Sequence, residues 1–147
     1  MQTLNQLIQK LNDFATNHQQ IHSFGFGDLW EIEASGAKNG TVMWANVVSG
    51  SVDVTGKQAT MDFRVCIMDL VKKDESNENE VLSDCYLIAL DLVAYLNYQT
   101  NWDNYTMSSS VPMTPFTERF DNDWSGWIVD VTLQNRFTSD YCQIPLN

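Results

Sequence analysis

The sequence predicts an α+β domain: a mostly antiparallel sheet with an N-terminal amphipathic helix, a central core helix and a long C-terminal β-hairpin. Three observations predict it. Apolar residues recur at helical spacing in two separated stretches, Leu4 to Phe14 and Val81 to Leu96. Runs of β-branched and aromatic residues with period-two alternation lie on both sides of the second stretch. A chain of 147 residues with 44% hydrophobic content suffices for one core rather than two, so residues 1–147 are read as a single domain.

The elements follow in order. Leu4, Leu7, Ile8, Leu11 and Phe14 form one stripe opposite Asn5, Gln6, Gln9, Asn12 and Asp13, which makes a helix from about Thr3 to Ala15 or slightly beyond. Thr3 with Gln6 three residues on supplies a capping pair. The two glycines of Phe24-Gly25-Phe26-Gly27-Asp28 favour a turn. Leu29 to Ala34 reads as a short strand, and Ser35 to Gly40 as a turn. Thr41 to Val48 is a second strand, broken at Ser49-Gly50 and followed by a short piece from Ser51 to Thr55. In the next strand Met61, Phe63, Val65 and Ile67 share one face, while Asp62, Arg64, Cys66 and Met68 share the other. The mixed second face suits a sheet with helices on one side only, or with a partner subunit on the other.

A charged loop, Lys72 to Glu80, leads into the core helix. There Asn77 and Glu80 make a capping pair, and Glu78 and Glu80 complement the helix dipole. Beyond Asn97 the alternation of Tyr105, Met107, Ser109 and Val111 indicates a strand, which Pro112 and Pro115 confine to an edge or bulge. Phe116 to Phe120 continues extended, Asp121-Asn122-Asp123 turns, and Gly126 to Phe137 alternates Trp127, Val129, Val131 and Leu133 against Asp130, Thr132, Gln134 and Arg136.

Eight basic against 19 acidic residues leave a net charge of −11 and a pI near 4.2. That balance argues against general binding of nucleic acid or anionic lipid. No stretch reaches the roughly 18 to 20 uninterrupted apolar residues of a membrane span, and the start lacks the basic end and apolar block of an export signal. Cys66, Cys85 and Cys142 are odd in number and separated by 18 and 56 residues, which speaks against a disulfide framework or a zinc site and for buried thiols.

Chemical motifs are weak throughout. His18 and His22 have metal-ligand spacing but lack an acidic partner between them and fall where the first helix ends. Asp121 to Gly126 begins like a calcium loop, yet its twelfth position is Thr132 instead of Glu. The Gly-x-Gly at Gly25 and Gly27 lacks a third glycine and a following helix. Glu31/Glu33 and Asp74/Glu75 read as solvated faces or helix lead-ins. No nucleophile elbow or Ser/His/Asp set assembles, and no cofactor is implied. The aromatic load says more. Of Trp30, Trp44, Trp102, Trp124 and Trp127, the last two lie near a hairpin tip and Trp102 in a loop. Aromatic anchors dominate interface energetics, so Trp102, Phe116, Arg119, Trp124 and Trp127 are the candidate subunit-contact residues.

Five segments carry a family resemblance: Phe24 to Ile32, Phe63 to Val71, Asn77 to Asp84, Pro115 to Asp121 and Asp140 to Pro145. They resemble a family of small virion proteins of tailed bacteriophages, including crAss-like phages, and they mark no catalytic site. The element order is also similar to that of phage tail terminator and tail-completion proteins. The resemblance implies a non-enzymatic structural protein of the virion neck or tail, present in the host cytoplasm during assembly. It implies a homo-oligomeric ring of six or twelve copies that contacts other neck or tail proteins and passes genomic DNA through its lumen without specific binding. A hairpin from Tyr105 to Phe137 would reach a neighbouring subunit, and an acidic lumen would repel DNA phosphates. Two alternatives stay open: a monomeric small-ligand or peptide-binding module, and a metal-dependent phage hydrolase drawing on Asp28, Glu31, Asp62, Asp69 or Glu118.

Overall fold

A computed structural model describes residues 3–27, 40–71, 76–103, 105–119, 124–137, 142 and 144–146, with the side chains of 101–103, 118 and 119 excepted. The described chain is the predicted α+β fold: two helices and a six-stranded, mostly antiparallel sheet. Helix α1 spans Leu4–Asn17, opened by the full Thr3/Gln6 capping box, with Leu7, Leu11, Phe14 and Ala15 buried. Strand β1 is Ile21–Phe26, β2 is Thr41–Asp53 and β3 is Gln58–Leu70. Helix α2 runs Glu78–Asp103, and β4, β5 and β6 are Tyr105–Met107, Met113–Arg119 and Trp124–Arg136.

The sheet order is β1-β2-β3-β6, and the far edge of β6 is shared by β4 at one end and β5 at the other. Only β1 and β2 pair in parallel. β3 and β6 pair without a register shift from Gln58↔Arg136 to Leu70↔Trp124. Both helices cover one face of the sheet. Leu11 and Phe14 of α1 join Val81, Cys85, Ile88, Leu92 and Leu96 of α2 over Met43, Phe63, Val65, Ile67, Val129 and Val131 in the main core. Tyr105 closes its end, its hydroxyl donating to the Leu96 carbonyl at 2.6 Å.

Several sequence expectations need correction. Phe24 to Phe26 is the end of strand β1, not a turn, and the reason is tertiary. A Cβ on Gly25 would collide with the ring of Trp44, whose indole N–H donates to the Gly27 carbonyl at 2.9 Å. Gly25 therefore serves close approach within a strand. The strand expected over Leu29 to Ala34, and the turns at Ser35 to Asn39 and Asp121 to Asp123, lie outside the described residues. Ser49-Gly50 does not break β2: a register shift between Val47 and Ser49 absorbs Val48, and the ladder with β3 resumes as far as Asp53↔Gln58. The strand expected from Tyr105 to Val111 stops at Met107, although the Ser108 amide still donates to the Thr132 carbonyl at 3.1 Å and the Pro112 carbonyl accepts the Asp130 amide at 3.0 Å.

α2 extends past Asn97 to Asp103, which places Trp102 in its last turn and not in a loop. At the other end, the Asn77 side-chain amide reaches the Leu70 carbonyl at 3.5 Å. The Tyr105 to Phe137 region packs within its own sheet, with β4 and β5 against β6.

Candidate interaction surfaces

The second face of the sheet carries a smaller cluster of Val42, Trp44, Cys66, Met68, Phe116 and Trp124, flanked by Leu70 and Ile128. The even-numbered residues of β3 and β6 point here because successive strand side chains alternate between faces. Beyond the cluster the same face turns polar. Asp62 accepts hydrogen bonds from Ser49 Oγ and Thr132 Oγ1, each at 2.7 Å, and Arg64 Nε donates to Asp130 at 3.1 Å.

The anchors proposed from sequence fall largely inside the chain. Trp124 is 1% exposed, and Phe116 is buried beside it in the second cluster. Trp127 packs from the opposite face against α2: its indole N–H donates to the Leu82 carbonyl at 2.9 Å, and its ring lies 5.2 Å from that of Tyr86. Trp124 and Phe116 therefore pack inside the domain and do not present a surface to a neighbour, whereas Trp127 is half-buried beside the exposed Tyr86. The side chains of Trp102 and Arg119 lie outside the described set.

The motifs considered for chemistry also separate. α1 ends at Asn17, so His18 and His22 share no helical face. His18 Nε2 bonds Asp91 of α2 at 2.9 Å, while His22 Nδ1 accepts from the Thr41 amide at 3.3 Å. Asp62 and Asp69 stand seven residues apart on β3 and so face opposite sides of the sheet. Asp28 and Glu31 lie outside the described residues, as does the Glu118 side chain. Trp124 to Gly126 of the calcium-like motif belong to β6. Among the described residues no three His, Cys, Asp or Glu side chains are grouped to hold a metal. Cys66 and Cys85 are buried as expected, but Cys142 is exposed. Burial, together with the Asp69 and Asp84 carboxylates, pushes the Cys85 thiol up to about 12.

Hydrogen bonds from Ser49 and then Thr132 hold the Asp62 carboxyl below its ordinary value near 3.8, outweighing the opposing effect of burial. A depressed folded-state value contributes stability above the unfolded value and loses it as pH falls through the folded one. Asp62→Asn is therefore expected to flatten the acid limb below about pH 4. Urea midpoints of wild type and variant, compared between pH 5 and pH 2, check this; parallel curves would contradict it.

Two surfaces missed in the sequence reading remain open. α2 is apolar nearly all round. Opposite its buried stripe, Leu87 is 55% exposed, Tyr98 is 59% exposed, and Leu90 and Ala94 are exposed between them. The helical spacing of Leu87, Leu90, Ala94 and Tyr98 was the available signal. No lysine or arginine occurs on the helix, which carries Glu78, Glu80, Asp84, Asp91 and Asp103. Over Glu78–Thr100 this helix meets the length and composition needed to cross a membrane, with mean hydropathy 1.3. That qualifies the sequence expectation, although the inward side of the helix is packed on the sheet.

The second surface is the β2–β3 arm. From Val48 to Gln58 every residue is exposed, and Val54 at its turn is 72% exposed. Lys57, in a left-handed conformation at φ 56°, and Arg136 line a groove of about 390 Å³ at the end of the arm together with Gly56, Thr106 and Gln134. Compared with protein-family models and with curated proteins, the chain matches none.

Proposed function

We propose that the protein is a non-enzymatic structural subunit of a tailed-phage virion, one of six or twelve copies in a neck or tail ring through which DNA passes. The observation that carries the reading is the pair of exposed apolar surfaces, the outer face of α2 and the β2–β3 arm, at different places on one domain. Ring closure by head-to-tail contacts requires two different, mutually complementary patches on each subunit, whereas a monomer gains nothing from leaving leucine, tyrosine and valine in water. The resemblance of Phe24 to Ile32, Phe63 to Val71 and the other three segments to small virion proteins supports the assignment to phage particles. The charge of −11 fits a channel wall past which DNA slides.

A monomeric ligand-binding module would be expected to carry an enclosed apolar pocket. The groove beside Lys57 and that beside His22 and Ser23 are instead open to solvent and lined by a mixture of polar and apolar groups. Mass spectrometry of purified particles tests the proposal. The protein is expected in the virion at a fixed stoichiometry of six or a multiple of it, and its absence from purified particles would refute the reading.

A further inference from the structure

We infer that the outer face of α2 in one copy is the docking site for the β2–β3 arm of the next copy, an apolar contact set in register by opposite charges. The inference rests on the multi-copy part of the proposed function and names its interface.

The helix supplies one half. Leu87, Leu90, Ala94 and Tyr98 lie along its solvent side, and the charges on the helix are all carboxylates, Asp84 among the exposed ones. Two such faces brought together would oppose carboxylate to carboxylate, so the helix does not suit its own image. It suits an apolar segment that carries cations. The arm supplies that segment: Val52 and Val54 are exposed along it, and Lys57 and Arg136 sit at its end.

These two cations are free for the task among the described residues. Lys10 lies over the Tyr105 ring and Arg64 is paired with Asp130, whereas neither Lys57 nor Arg136 meets a carboxylate. The Asp53 carboxylate, the acidic group within the arm, accepts the Gly56 amide at 2.9 Å inside the turn. The arm end thus sets two cations against one carboxylate, beside exposed valines, on a strongly negative chain. The outer face of α2 points away from the sheet, while the β2–β3 turn lies at the end of the sheet beside the end of β6, so the two patches are separate and one copy can engage both neighbours at once. A contact between two different patches repeats head to tail and closes into a ring when its rotation allows.

The test uses complementary variants of the full chain, followed by analytical ultracentrifugation and native mass spectrometry. A face variant carries Leu87→Asp with Leu90→Asp, and an arm variant carries Val52→Asp with Val54→Asp. All four positions are exposed, and unchanged circular dichroism melts verify folding. Lys57→Glu serves as a milder arm variant. Wild type is expected to self-associate, less so at high salt, and each double variant to weaken association by about 30-fold or more. Mixing the two double variants is expected to restore one interface and stop at a 1:1 heterodimer.

Self-association of the arm variant at wild-type strength would overturn the inference in favour of face-to-face helix pairing. A wild type monomeric to about millimolar concentration would also overturn it, and so would one that instead floats with phosphatidylcholine vesicles through α2. Presence in virions with no such association removes this inference and leaves the proposed function. Association through these surfaces with absence from virions does the reverse.

Discussion

Trp124→Ala is expected to destabilise the folded chain by about 3 to 5 kcal/mol, the usual cost of emptying a large buried aromatic site. The indole fills the centre of the second cluster against Val42, Trp44, Cys66, Met68 and Phe116. Its Nε1–H, however, has no hydrogen-bond partner among the described residues, and an orphaned buried donor carries a desolvation penalty of about 1 to 3 kcal/mol. Trp124→Phe removes that donor while keeping most of the ring, so its loss is expected to stay within about 1.5 kcal/mol. Urea unfolding at fixed protein concentration measures both. A residue that anchored a neighbouring subunit would behave differently, with Trp124→Ala leaving the monomer stable and changing only its association.

The second large effect is expected at Gly126. There the β3 and β6 backbones approach so closely that a Cβ would meet the Ile67 carbonyl and the Cα of Met68. Backbone cannot yield as a side-chain tip can, so Gly126→Ala must push apart the unshifted β3–β6 ladder. A loss of about 3 kcal/mol is expected, at the upper end of ordinary overpacking costs. Gly50→Ala is the control. A Cβ there meets nothing nearer than the Thr60 carbonyl at 3.6 Å, and that variant is expected to stay within about 1 kcal/mol of wild type. Hydrogen exchange of the β3 and β6 amides locates the damage, and equal behaviour of the two variants would refute the explanation.

What could be read from the sequence follows from how local each cause is. α1 was legible because its capping box and its Leu7-Leu11-Phe14 stripe act within a few residues. β3 and β6 were legible because each alternates strictly between a helix-covered face and a mixed one. β1 was misread because the glycine that makes it possible answers to Trp44, 19 positions downstream. The Ser49-Gly50 pair resembled a break because nothing local distinguishes a stop from a bulge that the facing strand bridges.

The aromatic anchors were misplaced for a related reason. Trp124 and Trp127 both follow an expected turn closely in sequence, but they enter opposite faces of the sheet and each finds cover there. The outer stripe of α2 was present in the spacing of Leu87, Leu90 and Ala94. It was hidden by the stronger inward stripe interleaved with it.

The place of β6 in the sheet also bears on how the chain is made. β3 finds its second neighbour only far along the polypeptide, with Arg64 waiting 66 residues for Asp130. During synthesis the β2–β3 ladder therefore emerges with a long bare edge, and α2 follows it without the β6 half of the floor it will rest on. Such an intermediate exposes strand edge and apolar helix together, the combination most prone to wrong pairing. Folding dominated by distant pairings is also slow. Emergence of Trp124–Arg136, which slots between β3 and the β4 and β5 edge, is the step that ends this exposure, and chains truncated or stalled before it are expected to aggregate.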